Sequence, residues 1–256
     1  MVNAEPSRRE FCATLLGSLL TYSLLTACSK PQVVSTAVAP VVRHWAIELN
    51  EYCSDLKLGR IPQSAWQESV ERLFSRVDLD DLLGFIDFET LEKGLKYPDL
   101  GVATENVKLP PLDELPRDVA FIKKIFGMRK GRAIIPHGHS NMASAHLVLG
   151  GQFKLRHYEK ISLDKGHMTI RPTIDKTAAA GSASSISDEA NNVHWFVAES
   201  DRAFTFDVIM LDIAGKRYDI HNLDLDRAER SGVDMLRVPI IDVDIALKRY
   251  GKAAMH

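Results

Sequence analysis

Three of the nine histidines in this chain of 256 residues carry its clearest chemical signal. His137 and His139 stand two apart, in Ile134-Ile135-Pro136-His137-Gly138-His139. On a strand, residues i and i+2 project from one face, so the two imidazoles present together. Pro136 before them and Gly138 between them place the pair at a strand end or turn. Two imidazoles from one strand form a metal platform that needs a third donor from elsewhere. His194, in Asn191-Asn192-Val193-His194-Trp195-Phe196, is the best candidate, because it too sits in a β-type run after a polar turn. Imidazole suits iron, zinc and nickel alike, so the pattern predicts a divalent transition metal without naming it.

The elements around these residues read as follows. Val42, Trp45, Ala46, Leu49, Tyr52, Cys53 and Leu56 recur at three- and four-residue steps, which predicts one helix face ended by Gly59 and Pro62. Ser64 and Gln67 suggest a capping box for a second helix, with Trp66, Val70, Leu73, Phe74 and Val77 as its stripe. Two shorter helices are expected over 78–86 and 88–95. The Pro-punctuated stretch 97–117 reads as a linker or wrapping segment. From residue 118 the texture changes to short β-type runs separated by turn signals such as Gly150-Gly151 and Asp164-Lys165-Gly166, which predicts an antiparallel sandwich or barrel. A last helix is expected near 242–250.

The other histidines read more plainly. His146 lies inside an apolar strand and reads as packed and hydrogen-bonded, with pocket lining or a fourth ligand as the alternatives. His157 and His167 are expected on the solvent side, and His221 in Tyr218-Asp219-Ile220-His221 is read as carrying no chemistry, with an approach to the barrel rim as the lesser alternative. The acidic run Asp224-Leu225-Asp226 reads as a solvated turn.

The residues from 118 to about 222 resemble the cupin superfamily, and within it the three-histidine thiol dioxygenases of the cysteamine dioxygenase and plant cysteine oxidase type. That branch runs roughly H-D-H-P-G-M in its first motif. Here His137-Gly138-His139-Ser140-Asn141-Met142 and then Gly151 fall at the same steps. Its second motif, G-N-x-H-x-F-x-A, is similar to Asn191-Asn192-Val193-His194-Trp195-Phe196-Val197-Ala198, and its later D-V is similar to Asp207-Val208. The departures are Gly138 for the family's aspartate, Ser140-Asn141 for Pro-Gly, Asn191 for the first glycine of the second motif, and no Pro-Pro-Tyr after the D-V strand. Tyr218 is the nearest tyrosine there.

The resemblance implies a mainly β, cupin-type (double-stranded β-helix or jelly-roll) barrel behind an N-terminal helical segment. It implies Fe(II), or another divalent transition metal, on His137, His139 and His194. Asp207 would be a catalytic residue that orients a ligand histidine or holds a substrate amine. Met142, His146 and Phe196 would line the substrate pocket. The implied reaction oxidises a small thiol, or an N-terminal cysteine on a peptide, to a sulfinate with dioxygen. The alternative is a non-catalytic, cupin-fold envelope lipoprotein serving as a binding or scaffolding module.

The first 28 residues differ from everything after them. Arg8 and Arg9 precede eighteen uncharged residues from Phe11 to Cys28, a signal-peptide pattern. Ser7-Arg8-Arg9-Glu10-Phe11 resembles the twin-arginine export signal, and Leu25-Thr26-Ala27-Cys28 resembles a lipobox whose cysteine carries the lipid. The expected organisation is therefore a signal peptide (1–27), a lipid-anchored tether (28–40), a helical lead-in and linker (41–117), the barrel (118–245) and a tail (246–256). Export machinery, a membrane met through the lipid and a periplasmic or cell-envelope location follow from this reading. Cys53 alone stays unmodified in the body and reads as a buried small hydrophobe. A net charge of −2 gives no reason to expect nucleic acid as partner. With 45% hydrophobic and 26% charged residues, the composition excludes a disordered chain and a multi-span membrane protein.

Overall fold

The structure is a computed structural model and describes residues 40–252. Arg8, Arg9, Cys28, the expected signal peptide and all of the tether but its last residue, Pro40, lie outside the described residues. Among the described residues, no helix is long and apolar enough to cross a membrane.

Among the described residues, four helices lead: α1 (Pro40–Lys57), α2 (Gln63–Phe74), α3 (Leu79–Phe85) and α4 (Phe88–Gly94). The predicted stripe of α1 is its buried face, with Val42, Ala46, Leu49 and Cys53 fully covered. The expected capping box of α2 does not form. Pro62 is the N-cap and supplies no side-chain bond, and Ser64 and Gln67 reach instead to a distant loop described below. In α3, by contrast, Asp78 caps through a bond from the Asp81 amide.

Twelve strands follow. The first, β1 (Ala103–Asn106), falls inside the stretch expected to be linker. Next come β2 (Ile122–Met128), β3 (Ala133–Ser140), β4 (Met142–Gly150), β5 (Gln152–Asp164), β6 (His167–Ala179), β7 (Ala183–Ile186), β8 (Val193–Ala198) and β9 (Ala203–Leu211). After them lie β10 (Asp219–Leu223), β11 (Glu229–Arg230) and β12 (Leu236–Ile241). A helix α5 (Val243–Tyr250), capped by Asp242, runs across the expected boundary between barrel and tail and packs near β3.

Strand order establishes the barrel. One sheet runs β1-β2-β9-β4-β7 and the other contains β3-β8-β5-β6, all antiparallel. Strands β2 to β9 thus pass between two four-stranded sheets in the order of a double Greek-key jelly roll. The fold class is mainly β, of the cupin barrel type, with a helical segment in front. The second sheet goes further: β10 pairs β3, β12 pairs β6, and β10 pairs β12, which closes its outer edge into a ring. That ring encloses Tyr158, Met168, Ile170, Val193, Leu223 and Val238.

The helices cover the outer face of the first sheet. Ala143, Ala145 and Leu147 of β4 and Phe204, Phe206 and Val208 of β9 share one core with Trp45, Leu49, Trp66 and Phe74. The alternate residues on the same strands face into the barrel. Val148 and Ala203 join Phe153, Leu155 and Phe196 there and fill one end. Both faces of β4 and β9 are therefore buried, and their sequences read as nearly unbroken apolar runs. The polar exceptions, Ser144, His146, Thr205 and Asp207, stand on the inward face.

Candidate metal centre

A bulge aims the first two histidines. Ile134 packs with the inward cluster, while Ile135 joins an outer cluster with Ala246 and Tyr250 of α5. The β3–β8 register shifts between Ile134 and His137. This irregularity changes the phase of the strand, so His137 and His139 point inward. His194 lies directly opposite His137, and His157 on β5 lies directly opposite His194. One cross-strand row thus carries His137, His194 and His157.

One ligand nitrogen from each of His137, His139 and His194 lies within 4.8 Å of the others. His139 and His194 are buried and His137 is half-buried. His137 Nδ1 lies 2.7 Å from the Ile135 carbonyl oxygen, which can only accept. Nδ1 therefore donates, and Nε2 is the nitrogen left for a metal. Both nitrogens of His139, and Nδ1 of His194, are buried with no hydrogen-bond partner. Unpartnered buried nitrogens are costly unless something binds them, and a cation shared by three imidazoles fits these residues. Burial holds His137 down to about 4 and holds His139 and His194 well below the ordinary imidazole range. All three are neutral near pH 7, the state in which imidazole ligates a metal.

The neighbours of the triad explain three departures from the resemblance. A Cβ at Gly138 would come 2.8 Å from Val193 Cγ2 and 3.0 Å from Asn192 Oδ1, so the position of the family's aspartate has no room for a side chain. Asn141 turns the chain between β3 and β4 at φ 57°, and Asn191 stands before β8 at φ 55°. Both are left-handed positions, where asparagine is tolerated in place of glycine.

Asp207 bonds His146 rather than a ligand histidine. Phe196 packs into the filled end of the barrel, and Met142 lies buried opposite Leu211 at the start of β4. The His146 ring stands edge-on to His194 at 5.1 Å and to Phe196 at 5.1 Å. Tyr218 is 39% exposed, on the chain leading into β10.

Sequence reasoning missed two residues. His157, expected on the solvent side, is fully buried, with both nitrogens unpartnered and its ring 6.3 Å from that of His194. Its signal was present, since Phe153, Leu155 and His157 alternate along β5. Asp224, expected in a solvated turn, is 1% exposed and bonded to Arg249 and Tyr250. His221 sits half-buried with Nε2 3.4 Å from Ser140 Oγ, beside the end of β3. A groove of about 640 Å³ along Val107–Lys123 includes none of these histidines.

No family model and no curated protein matches this chain. Solved structures similar to it include KdgF from Halomonas sp., at 15% identity and TM-score 0.32 over 45% of this chain and 84% of that one. Procruciferin, an 11S globulin from Brassica napus, is similar at 14% identity and TM-score 0.34, over 54% of this chain and 30% of its own. The 11S globulin from Wrightia tinctoria is similar at 18% identity and TM-score 0.35, over 50% of this chain and 28% of its own. The strand order, and not these likenesses, establishes the barrel.

Proposed function

We propose that this chain is an exported, lipid-anchored mononuclear non-haem iron oxygenase. Its substrate would be a small thiol or an N-terminal cysteine. The observation that carries the reading is a convergent triad of three neutral imidazoles with no carboxylate among them. His137, His139 and His194 would hold the metal. The Ile135 carbonyl would orient His137, and burial of the other two would limit water. Neutral ligands contribute no charge, so an anionic ligand such as a thiolate is what this centre lacks. Iron(II) held by these three residues would supply the chemistry that brings a thiolate and dioxygen to react. The overall reaction, R–SH + O₂ → R–SO₂H, balances without a further reductant. The Arg8-Arg9 and Cys28 patterns support delivery through a folded-protein export route and attachment to the cell envelope.

The experiment is elemental analysis of protein made through its native export route, then anaerobic Fe(II) loading and addition of oxygen with a thiol panel. Mass spectrometry reads the sulfinate. Iron in the isolated protein with gain of two oxygen atoms on a thiol is expected. No oxygen consumption with any thiol would overturn the catalytic reading.

One observation favours a second reading, a non-catalytic binding module. No Pro-Pro-Tyr follows β9, and Tyr218 is exposed. Protein isolated without metal, with a His194→Ala variant identical in fold and stability, would select it.

A further inference from the structure

The loop 187–192 joins β7 to β8, and helix α2 grips it. Gln67 Oε1 accepts from Ser187 Oγ at 2.6 Å, and Gln67 Nε2 donates to the Ala190 carbonyl at 3.3 Å. Gln63 Oε1 accepts from the Asp188 amide at 2.8 Å. The Glu189 carboxylate accepts from both the amide and the hydroxyl of Ser64, each at 2.8 Å.

The same loop holds the first metal-binding motif. Asn192 Nδ2 donates to the Ser187 carbonyl at 2.9 Å, and its Oδ1 accepts from the His139 amide at 2.9 Å. Asp188 accepts from the Asn141 amide at 2.7 Å and from Lys160 Nζ at 2.9 Å. Lys160 also donates to the His139 carbonyl. The backbone of His139 is thus tied at its N–H and at its C=O, and both ties run through this loop to α2.

Gln67 is 6% exposed, Ser187 0%, Asn192 1% and His139 1%. A buried polar chain whose members bond one another is rigid, and its parts share their geometry. Docking of α2 does not require these bonds, because Trp66, Val70, Leu73 and Phe74 already bury its apolar face. Ser64 and Gln67, unused as a cap, are spent on the loop instead.

We infer that α2 and the 187–192 loop form a strap that sets the spacing between the two metal-binding motifs, with Gln63 and Gln67 as positioning residues for His139. The helical segment is then part of the metal centre. This inference rests on the metal-centre reading and names residues outside the motifs that carry it.

The test uses the protein with Gln67→Ala, Gln63→Ala and, as control, Arg76→Gln, whose side chain pairs with Glu48 of α1. Co(II) titration reads affinity and the ligand-field bands, thermal melting of the metal-free proteins reads stability, and hydrogen exchange reads the His139 amide. Each glutamine variant is expected to weaken Co(II) binding about 10-fold and shift the bands. Exchange at the His139 amide should quicken, and the control should behave as wild type. Unchanged affinity, bands and exchange in both glutamine variants would overturn the strap. If Gln67→Ala does not fold, the partly exposed Gln63 carries the same readouts. Failure of the wild type to bind Co(II) overturns the metal-centre reading. Exchange at His139 then decides the strap alone, faster supporting it and unchanged overturning it.

Discussion

His146 Nδ1 lies 2.7 Å from Asp207 Oδ2, across a directly opposed pair of strands β4 and β9. The two side chains are 3% and 2% exposed. The pair faces the triad across the barrel interior, and the outer nitrogen of His146 and the second oxygen of Asp207 have no partner. The resemblance would place this aspartate on a ligand histidine or a substrate amine. Here its hydrogen bond goes to a histidine outside the triad, whose ring packs on His194.

Removing one member of such a buried pair strands the other. Asp207→Ala leaves the buried His146 Nδ1 without a partner and should cost about 1–3 kcal/mol, read by urea unfolding of the metal-free protein. Replacing both residues by leucine removes the stranded group as well as the bond. The double variant should therefore be more stable than the losses of His146→Leu and Asp207→Leu, each measured singly, sum to predict. Additive losses in that cycle would show that the two side chains are not coupled.

Metal and stability are linked through the triad. A ligand bound only by the folded state at about 1,000 times its Kd adds about 4 kcal/mol. Zn(II) or Co(II) should therefore raise the melting temperature of the wild type and leave that of His194→Ala where it is. His137→Ala and His139→Ala should behave the same way. A metal-dependent rise that survives all three substitutions would place the ion elsewhere.

How far the sequence reveals this site depends on the range of the contact. The i, i+2 spacing of His137 and His139 is local, and strand geometry alone puts the two rings on one face. The stripe of α1 and the runs that became β2 to β4 are legible for the same reason. The row His137–His194–His157 is not local. It depends on a bulge in β3 and on which strands pair, and neither is written in the spacing of the residues. The pairing of His146 with Asp207 spans 61 residues and follows from the β4–β9 register. Gln67 looked like a capping residue because its partner, Ser187, lies 120 positions away. Long-range polar contacts of this kind are invisible to any local pattern.

Acid should weaken the metal-free protein in a defined direction. Burial pushes His157 down to about 3 and His137 down to about 4, against about 6.5 for an unfolded histidine. The unfolded chain therefore takes up protons that the folded state refuses once pH falls below about 6.5. The stabilising effect of these neutral rings is complete above that value and is lost as pH drops towards the folded-state values. Each such group contributes a slope of about 1.4 kcal/mol per pH unit within that window. His157→Leu removes one of them, so urea unfolding between about pH 6 and about pH 4 should show a shallower loss. An unchanged slope would mean that His157 accepts its proton without opening the fold.

The last prediction concerns Gly138, where the neighbours and the ligands meet. Its α-carbon faces Val193 and Asn192, and a Cβ there would come 2.8 Å from a valine methyl and 3.0 Å from the Asn192 carbonyl oxygen. Asn192 is the residue that holds the His139 amide. Gly138→Ala should therefore act twice, through overpacking of about 1–3 kcal/mol and through displacement of the contact that fixes a ligand. Val193→Ala removes the nearest of the groups in the way but leaves Asn192 Oδ1 and the Met168 methyl, each at 3.0 Å, so the double variant should recover part of the stability and part of the metal affinity. Recovery of stability without recovery of Co(II) affinity would show that Asn192, and not Val193, sets the limit at this position. Full tolerance of Gly138→Ala, in both melting and metal titration, would show that the strand gives way and that close packing does not fix the two histidines.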